Sequence, residues 1–361
     1  MAKFPLTEMA VKMFCPDNVV QLDDAGLPSI LVYIPAFKNS DVLTGGDDSI
    51  HPAFIVNGVQ IAGFYYSKYE NVVYNGKAYS LPAEDPQTTL PFDTARKYCE
   101  DKGYGWHMST AAEWAAIALW CKKNGFLPYG NNSGAKDNRE TEVKAILVNG
   151  DDARVATGTG PLTWSHDGTP SGIWDLNGNL TEWQGGIRLV WGELQILANN
   201  DAADADNPQN NTSTCWKAIN AADGSLVDPE CTINDTEVKT TGNTVRLDFV
   251  DSVWTYSNSI SSADTSARHC SFASVTCDDS VGDAAKVLLR ALALLPDEGA
   301  TSTDYEADRF YAINALSERF MARGGYWELA TGAGVFSAFF SSPRSGYYAG
   351  FGFRSAYIQN I

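Results

Sequence analysis

The sequence predicts an α+β domain. Three observations carry that prediction. From Ile30 to about residue 70, runs rich in β-branched and aromatic residues are separated by turn residues, the pattern of strands. Two helical patterns follow between residues 91 and 125, and a third lies at 283–296. Between the second and third helices runs a long Asn-, Asp-, Thr- and Ser-rich stretch with scattered apolar strands such as NTVRLDF.

Taken in order, residues 1–27 read as a lead-in segment. SILVYIPAF and HPAFIVNGVQIAGFYYSKYE supply the first strands. In PFDTARKYCEDKG, Ala95, Tyr98 and Cys99 share one helical face by i, i+3, i+4 spacing. The next helix begins in MSTAAEWAAIALWCKKNG, where Thr110 and Glu113 form a capping box. Trp114, Ile117, Ala118 and Cys121 make its apolar stripe, Lys122 and Lys123 suit its C-terminal dipole, and Gly125 ends it. Residues 126–186 are loop-like and rich in Gly, Asn, Asp and Trp. Residues from about 191 to 315 read as a large insertion of short strands and loops. Within it DAAKVLLRALALLPDEG predicts a helix with Asp283 as N-cap and Pro296 as stop.

Composition sets bounds. The 361 residues, 44% hydrophobic and 19% charged, describe a globular chain with a substantial core. A net charge of −18 with no basic cluster excludes phosphate-backbone binding, so no nucleic acid is expected as partner. Glu8, Lys12 and Asp17 interrupt any signal-peptide core, and no apolar run approaches the roughly 20 residues a membrane helix needs. Cytoplasmic synthesis without a signal peptide or membrane insertion is the expectation. The seven cysteines form no CxxC and no zinc-like spacing; Cys99 and Cys121 fall on apolar helix faces, and reduced thiols are expected throughout.

No HExxH, GxSxG, Walker loop or dinucleotide fingerprint occurs. The TGTGP stretch at 157–161 lacks the third glycine of a phosphate loop. His51, His107, His166 and His269 have no short metal-like spacing. The doublets Asp47–Asp48, Asp151–Asp152 and Asp278–Asp279 read as solvated loop charge. In DLNGN, Asp175 to Asn179, oxygen-bearing residues alternate as in a Ca²⁺ loop, but the later acidic ligand of an EF-hand is missing. A side-chain-bonded turn is the favoured reading, no cofactor is expected, and a structural Ca²⁺ is the alternative.

Several blocks, in order, resemble the formylglycine-generating enzyme (sulfatase-modifying factor) superfamily. They are VYIPAF, GFYYSKYEN, PFDTARKYCEDKGYGWHMSTAAEWAAIA, LPYGNN, GIWDLNGNLTEW, RGGYW and GFR. The resemblance covers about 28–190 and 315–358 and implies a variant of the C-type lectin fold, with the domain running from 28 to 358. Trp174, Leu176, Leu180 and Trp183 read as apolar anchors, and Gly178 as the residue of a tight turn. Gly324 and Gly325 permit close backbone approach. Arg323 and Arg354 suit bidentate pairing with acidic partners, and with Trp174, Trp183 and Trp327 they are the expected scaffold. Enzymes that make formylglycine carry a reactive cysteine pair near the C-terminal end. Here no cysteine follows Cys277, and no iron-binding His cluster of a sulfoxide synthase is visible. No catalytic residue is expected.

The tail, RGGYWELATGAGVFSAFFSSPRSGYYAGFGFRSAYI, resembles the variable region of diversity-generating retroelement target proteins. GGIRLVWGELQILANNDAA and LRALALLPDEG resemble phage-borne members. In that family an error-prone reverse transcriptase rewrites template adenines, mostly in Asn codons. Changing the first two bases of such codons yields Tyr, Ser, Thr, Gly, Ala, Phe, Leu and Asp but not Lys, Glu, Gln, Met or Trp. From Tyr326 to Ser355 only Trp327 and Glu328 fall outside the reachable set, and Asn is absent.

In GVFSAFFSS the strand period places Phe336, Ala338 and Phe340 inward and Ser337, Phe339 and Ser341 outward. Tyr326, Glu328, Leu329 and Thr331 before it, and Gly346, Tyr347 and Tyr348 after it, complete an expected variable surface within 323–357. Aromatic anchors among small polar residues resemble a paratope. The resemblance implies a non-enzymatic binding protein on a virion tail or fibre whose partner is a bacterial surface protein or glycan, with a homo-oligomer as a further expectation. The alternatives are an enzyme of the formylglycine-generating or sulfoxide-synthase type and a bacterial surface adhesin.

Overall fold

The computed structural model describes residues 6–148 and 153–359, so Asp151–Asp152 lies outside the described residues. The first element is helix α1, Leu6–Phe14, none of whose residues is buried. Strand β1 (Val19–Leu22), inside the expected lead-in, pairs with β2 (Pro28–Pro35). β3 (Gly63–Ser67) continues that sheet. Helix α2 (Phe92–Glu100) buries Phe92, Ala95 and Cys99, β4 (Trp106–Met108) follows, and helix α3 spans Ala111–Lys123.

The capping box on α3 is formed: the Thr110 side chain accepts from Glu113 N, and the Glu113 carboxylate accepts from Thr110 N. The expected stripe understates this helix. Every residue from Ala111 to Leu119 is buried, because small alanines let sheet and loops close around it. Its Trp114 indole N–H donates to Val335 O at 2.7 Å, fixing helix to tail.

Two sheets organise the rest. In the first, five antiparallel strands run β1-β2-β3-β13-β4, where β13 is Ser355–Tyr357. The end of the tail therefore wedges between β3 and β4. The larger sheet is built from β5 (Thr181–Val190), β6 (Glu193–Ile196), β7 (Thr241–Val250), β8 (Val253–Ser259), β9 (Arg268–Ser271), β10 (Arg309–Ala312), β11 (Arg319–Gly324) and β12 (Gly334–Ser342). Its order is β9-β10-β12-β11-β5-β6-β7-β8, with smaller strands added. The expected insertion thus supplies both wings, β6 to β8 on one side and β9 to β10 on the other. It is part of the sheet, not an appendage.

Helix α4 spans Asp283–Ala291, and here two expectations are corrected. Gly282, not Asp283, is the N-cap, and Asp283 stands in the first turn. The helix stops five residues short of Pro296. Ala293 turns left-handed at φ 48°, and Leu294 N reaches back to Leu289 O at 2.9 Å, a Schellman-type end. All seven cysteines are free, and no helix among the described residues is long and apolar enough to cross a membrane. The architecture is mixed α+β.

Candidate ligand-binding surface

The blocks LPYGNN, DLNGN and RGG, far apart in sequence, form one hydrogen-bonded knot. Asn179 N donates to Asn131 O, Asn131 Nδ2 to Asn179 Oδ1 at 3.0 Å, and Gly178 N to Gly324 O at 3.1 Å. Gly178 has φ 75°, and a Cβ there would stand 2.0 Å from Asn131 O, so only glycine fits. Asp175 Oδ2 accepts from Gly158 N, Asn177 Oδ1 from Asn132 Nδ2, and Asn179 Oδ1 from Val155 N. N–H donors are thus aimed at Asp175 Oδ2, Asn177 Oδ1 and Asn179 Oδ1, while the other Asp175 oxygen, Oδ1, is buried without a hydrogen-bond partner among the described residues. DLNGN is a side-chain-bonded turn.

Beside this knot lies the fully buried Arg354. Its Nε lies 2.9 Å from both Glu182 oxygens, and its remaining donors reach the carbonyls of Lys68 and Asp175, both at 3.1 Å. Burial, partly offset by Arg354, raises Glu182 to about 7, and burial raises Asp175 to about 6. Glu70 is also pushed up, by burial and by Asp175. Against the cost of burial, Glu182 and Glu70 hold Arg354 above its ordinary value.

Arg323 behaves differently and corrects the expectation of an acidic partner. It donates to the carbonyls of Phe336, Leu292 and Ala293 at 3.2, 3.0 and 2.9 Å. A helix leaves its last carbonyls without internal partners and carries partial negative charge there, so the end of α4 does the work of a carboxylate. Burial pulls Arg323 down to about 9. His51 serves the same helix end: its Nε2 lies 2.7 Å from Ala291 O while Nδ1 accepts from Ala53 N. That pattern fixes the neutral ring, and burial lowers its pKa to about 4.

Above Arg323 stands β12, paired with β10 in parallel and with β11 antiparallel. Phe336, Ala338 and Phe340 are fully buried, as their strand period requires. The opposite face is not open as expected. Ser337 is fully buried beneath the 330–332 turn, donating to Gly332 O at 2.7 Å and accepting from Arg309 N at 3.2 Å. Phe339 is only 8% exposed, and Gly346 is buried in a turn closed by its N–H to Pro343 O. The physical reason is that β12 is an inner strand, and the loop after Gly325 folds back over it.

What remains of that face is a groove of about 420 Å³. Tyr326, Leu329, Phe339, Ser341 and Tyr348 line it together, with Phe351 beside them. Glu328 and Thr331 are exposed on the neighbouring loop, as are Tyr347 and Tyr348 on the loop following β12. Trp327 is half-buried, with its carbonyl accepting from Gly134 N, while Trp174 and Trp183 are buried and the Trp183 indole donates to Leu90 O.

Sequence reasoning missed the other wall. Arg309, Tyr311 and Ile313 come from β10 and the residue that follows it, inside the insertion. Tyr311 is in register with Phe339, their ring centroids 6.2 Å apart. The period-2 alternation of half-buried Arg309, Tyr311 and Ile313 with buried Phe310 and Ala312 is the signal that marks this wall. The groove offers aromatic faces, hydroxyls and one guanidinium; none of the residues lining it is His, Cys, Asp or Glu.

No protein-family model matches the chain, and no curated protein matches it. Among solved structures it is similar to the Major Tropism Determinant P3c, U1 and I1 variants, each at 12% identity. These comparisons cover 94% of this chain and 71% of those chains, with TM-scores of 0.30, 0.31 and 0.31. A backbone likeness of that degree defines neither the site nor its ligand, and both rest on the geometry above.

Proposed function

We propose that this chain is a phage receptor-binding protein. In this reading a C-type lectin-like domain of the formylglycine-generating-enzyme type displays a hypervariable surface written by a diversity-generating retroelement. Its target is a protein or glycan on a bacterial surface, and its place is a virion tail or fibre. The observation that carries the reading is the convergence of Tyr326, Leu329, Phe339, Ser341 and Tyr348 on one groove above a fully paired strand. Tyrosine gives large contact area and a hydrogen bond for little lost side-chain entropy, the economy of a paratope. Contact, not bond-making, is the chemistry such a lining supports, and several copies on one particle would multiply weak contacts.

Sequencing the 3′ end of the gene across a population, with the adjoining DNA, tests the diversification. Substitutions confined to Asn-type template codons within 323–357, with a near-copy repeat nearby, are expected. A uniform 3′ end with no repeat would reduce the groove to a fixed binding surface. Binding of the purified chain to host cells, lost on Tyr348→Ala, tests the display itself.

A further inference from the structure

The groove does not account for the most exposed apolar stripe among the described residues. On α1, Leu6, Met9, Met13 and Phe14 are 84, 51, 77 and 79% exposed. Their spacing is i, i+3, i+7, i+8, a single stripe, while Val11 turns the other way onto the cluster that holds Tyr69, Trp164 and Trp174. A soluble chain rarely leaves such a stripe uncovered unless something docks on it.

The same chain carries a matching receptor. A cleft of about 630 Å³, larger than the tail groove, is floored by Ile34, Phe37, Ile117 and Trp120, with Tyr33 at its mouth. Asp17, Asp41 and Asp167 stand around it against the single Lys123. Amphipathic helices enter grooves of this kind on i, i+3, i+7 anchors. Lys12, paired with Glu8 at 3.7 Å and still half exposed, gives α1 a charge of the sign opposite to this acidic margin.

The helix does not lie over its own cleft. Val11 O accepts from Cys15 N, the Cys15 thiol lies 3.3 Å from both Pro170 O and the buried Lys68 Nζ, and Asn18 Nδ2 donates to Ser171 O. The end of α1 is thus pinned beside the cleft, and Asp17, three residues past Phe14, is already on the cleft margin. We propose that the α1 stripe of one copy docks in the cleft of a second copy, and the second helix returns the contact. Such an exchange is isologous and closes on itself. It covers two stripes and two clefts, and a stable pair needs roughly 1,200–2,000 Å² buried in all.

Sedimentation equilibrium of the full chain at micromolar concentration tests this. A reversible dimer is expected. Met9→Asp with Met13→Asp, on the exposed stripe, should weaken it by about tenfold or more, with the melting temperature falling only as far as the lost mass-action stabilisation of the dimer requires. Ala36→Arg, which puts a charged chain into the cleft, should do the same. Mixing these two variants is the decisive arm. The mixed pair keeps one intact helix and one intact cleft that face each other, so it should associate more tightly than either variant alone. A monomeric wild type, a dimer indifferent to the stripe, no gain on mixing, or α1 bound only by a different protein would each overturn the proposal. None of these outcomes bears on the tail groove, whose test is host-cell binding.

Discussion

Along the floor beneath the groove, Ser337, Phe336 and Phe340 are fully buried, and Arg323 and Arg354 below them spend their donors on protein oxygens. Along the rim, Glu328, Thr331 and Tyr347 are exposed, and their side chains make no hydrogen bond or ion pair among the described residues. The two regions are a few residues apart in one continuous tail. The contrast shows how a chain can divide tolerance from intolerance at single-residue resolution. A floor position answers to neighbours on every side, whereas a rim position answers only to its own backbone and to whatever ligand arrives.

The largest effect that would sharpen this contrast is at Arg354. Arg354→Ala leaves Glu182 buried without its partner and empties a fully buried site. The expected loss is about 3–5 kcal/mol, enough to unfold many domains. Urea unfolding of the purified variant checks it, and a loss below about 1 kcal/mol would place Arg354 with the rim.

Protonation probes the floor next. His51 is held near 4 against an ordinary 6.5, so the unfolded chain binds the proton first as pH falls. The stability from keeping His51 neutral is therefore complete above about 6.5 and is lost on descent toward about 4. His166, whose Nδ1 accepts from Ile173 N, behaves alike. Glu182 and Asp175 work in the opposite sense: raised to about 7 and about 6, they favour the folded chain at low pH and lose that contribution as pH rises. The wild-type profile is the sum of these opposed trends, and His51→Gln separates them. Its stability deficit relative to wild type should shrink by about 3 kcal/mol between neutral pH and pH near 4. Parallel curves for the two proteins would show that His51 does not titrate with folding.

Much of the floor was legible in the sequence, and the reasons differ by residue. The Thr110–Glu113 capping box is local and was read directly. Trp174, Leu176, Leu180 and Trp183 are large apolar residues around a turn glycine, and they could only be core. The inward set Phe336, Ala338 and Phe340 followed from strand period alone. Arg323 failed because its partners are carbonyls at the end of a helix some thirty residues away, and no pattern marks a helix end as an anion. The burial of Ser337, and of all but a sliver of Phe339 in the groove, was missed because period gives two faces but not what covers them. GVFSAFF is nearly continuous in apolar residues, which is itself the mark of a strand covered on both sides. The wall from Arg309 to Ile313 was hidden by reading the insertion as separate from the sheet.

Ser337 is the place where the two regions were confused, so it makes the next test. Ser337→Ala removes the donor to Gly332 O, in a buried hydrogen bond, and the acceptor for Arg309 N, in a part-buried one. A loss of about 1–2 kcal/mol is expected, with host-cell binding reduced no more than the stability change explains. A population in which residue 337 varies freely among Tyr, Phe and Asp would break the boundary drawn here. A bulky side chain at 337 has no room under the 330–332 turn.

The smallest stability effect belongs to the rim, and there it is coupled to the largest functional one. Tyr347 is 63% exposed and Tyr348 46%, with Tyr348 in contact with Phe351 at 5.1 Å between ring centroids. Tyr347→Ala should change stability by no more than about 0.5 kcal/mol, because few native contacts are lost. Tyr348→Ala should cost slightly more, since it also uncovers Phe351. If the rim is a contact surface, each truncation removes area and a hydroxyl from the bound state while the free state hardly changes. A central tyrosine of that kind is worth about 2 kcal/mol or more in binding, which is a loss of roughly thirtyfold in affinity. Titration of each variant against host cells, alongside its melting temperature, separates the two quantities. Equal losses in binding and stability would mean that the rim is an extension of the floor. Loss of binding at constant stability is what a surface free to change must show.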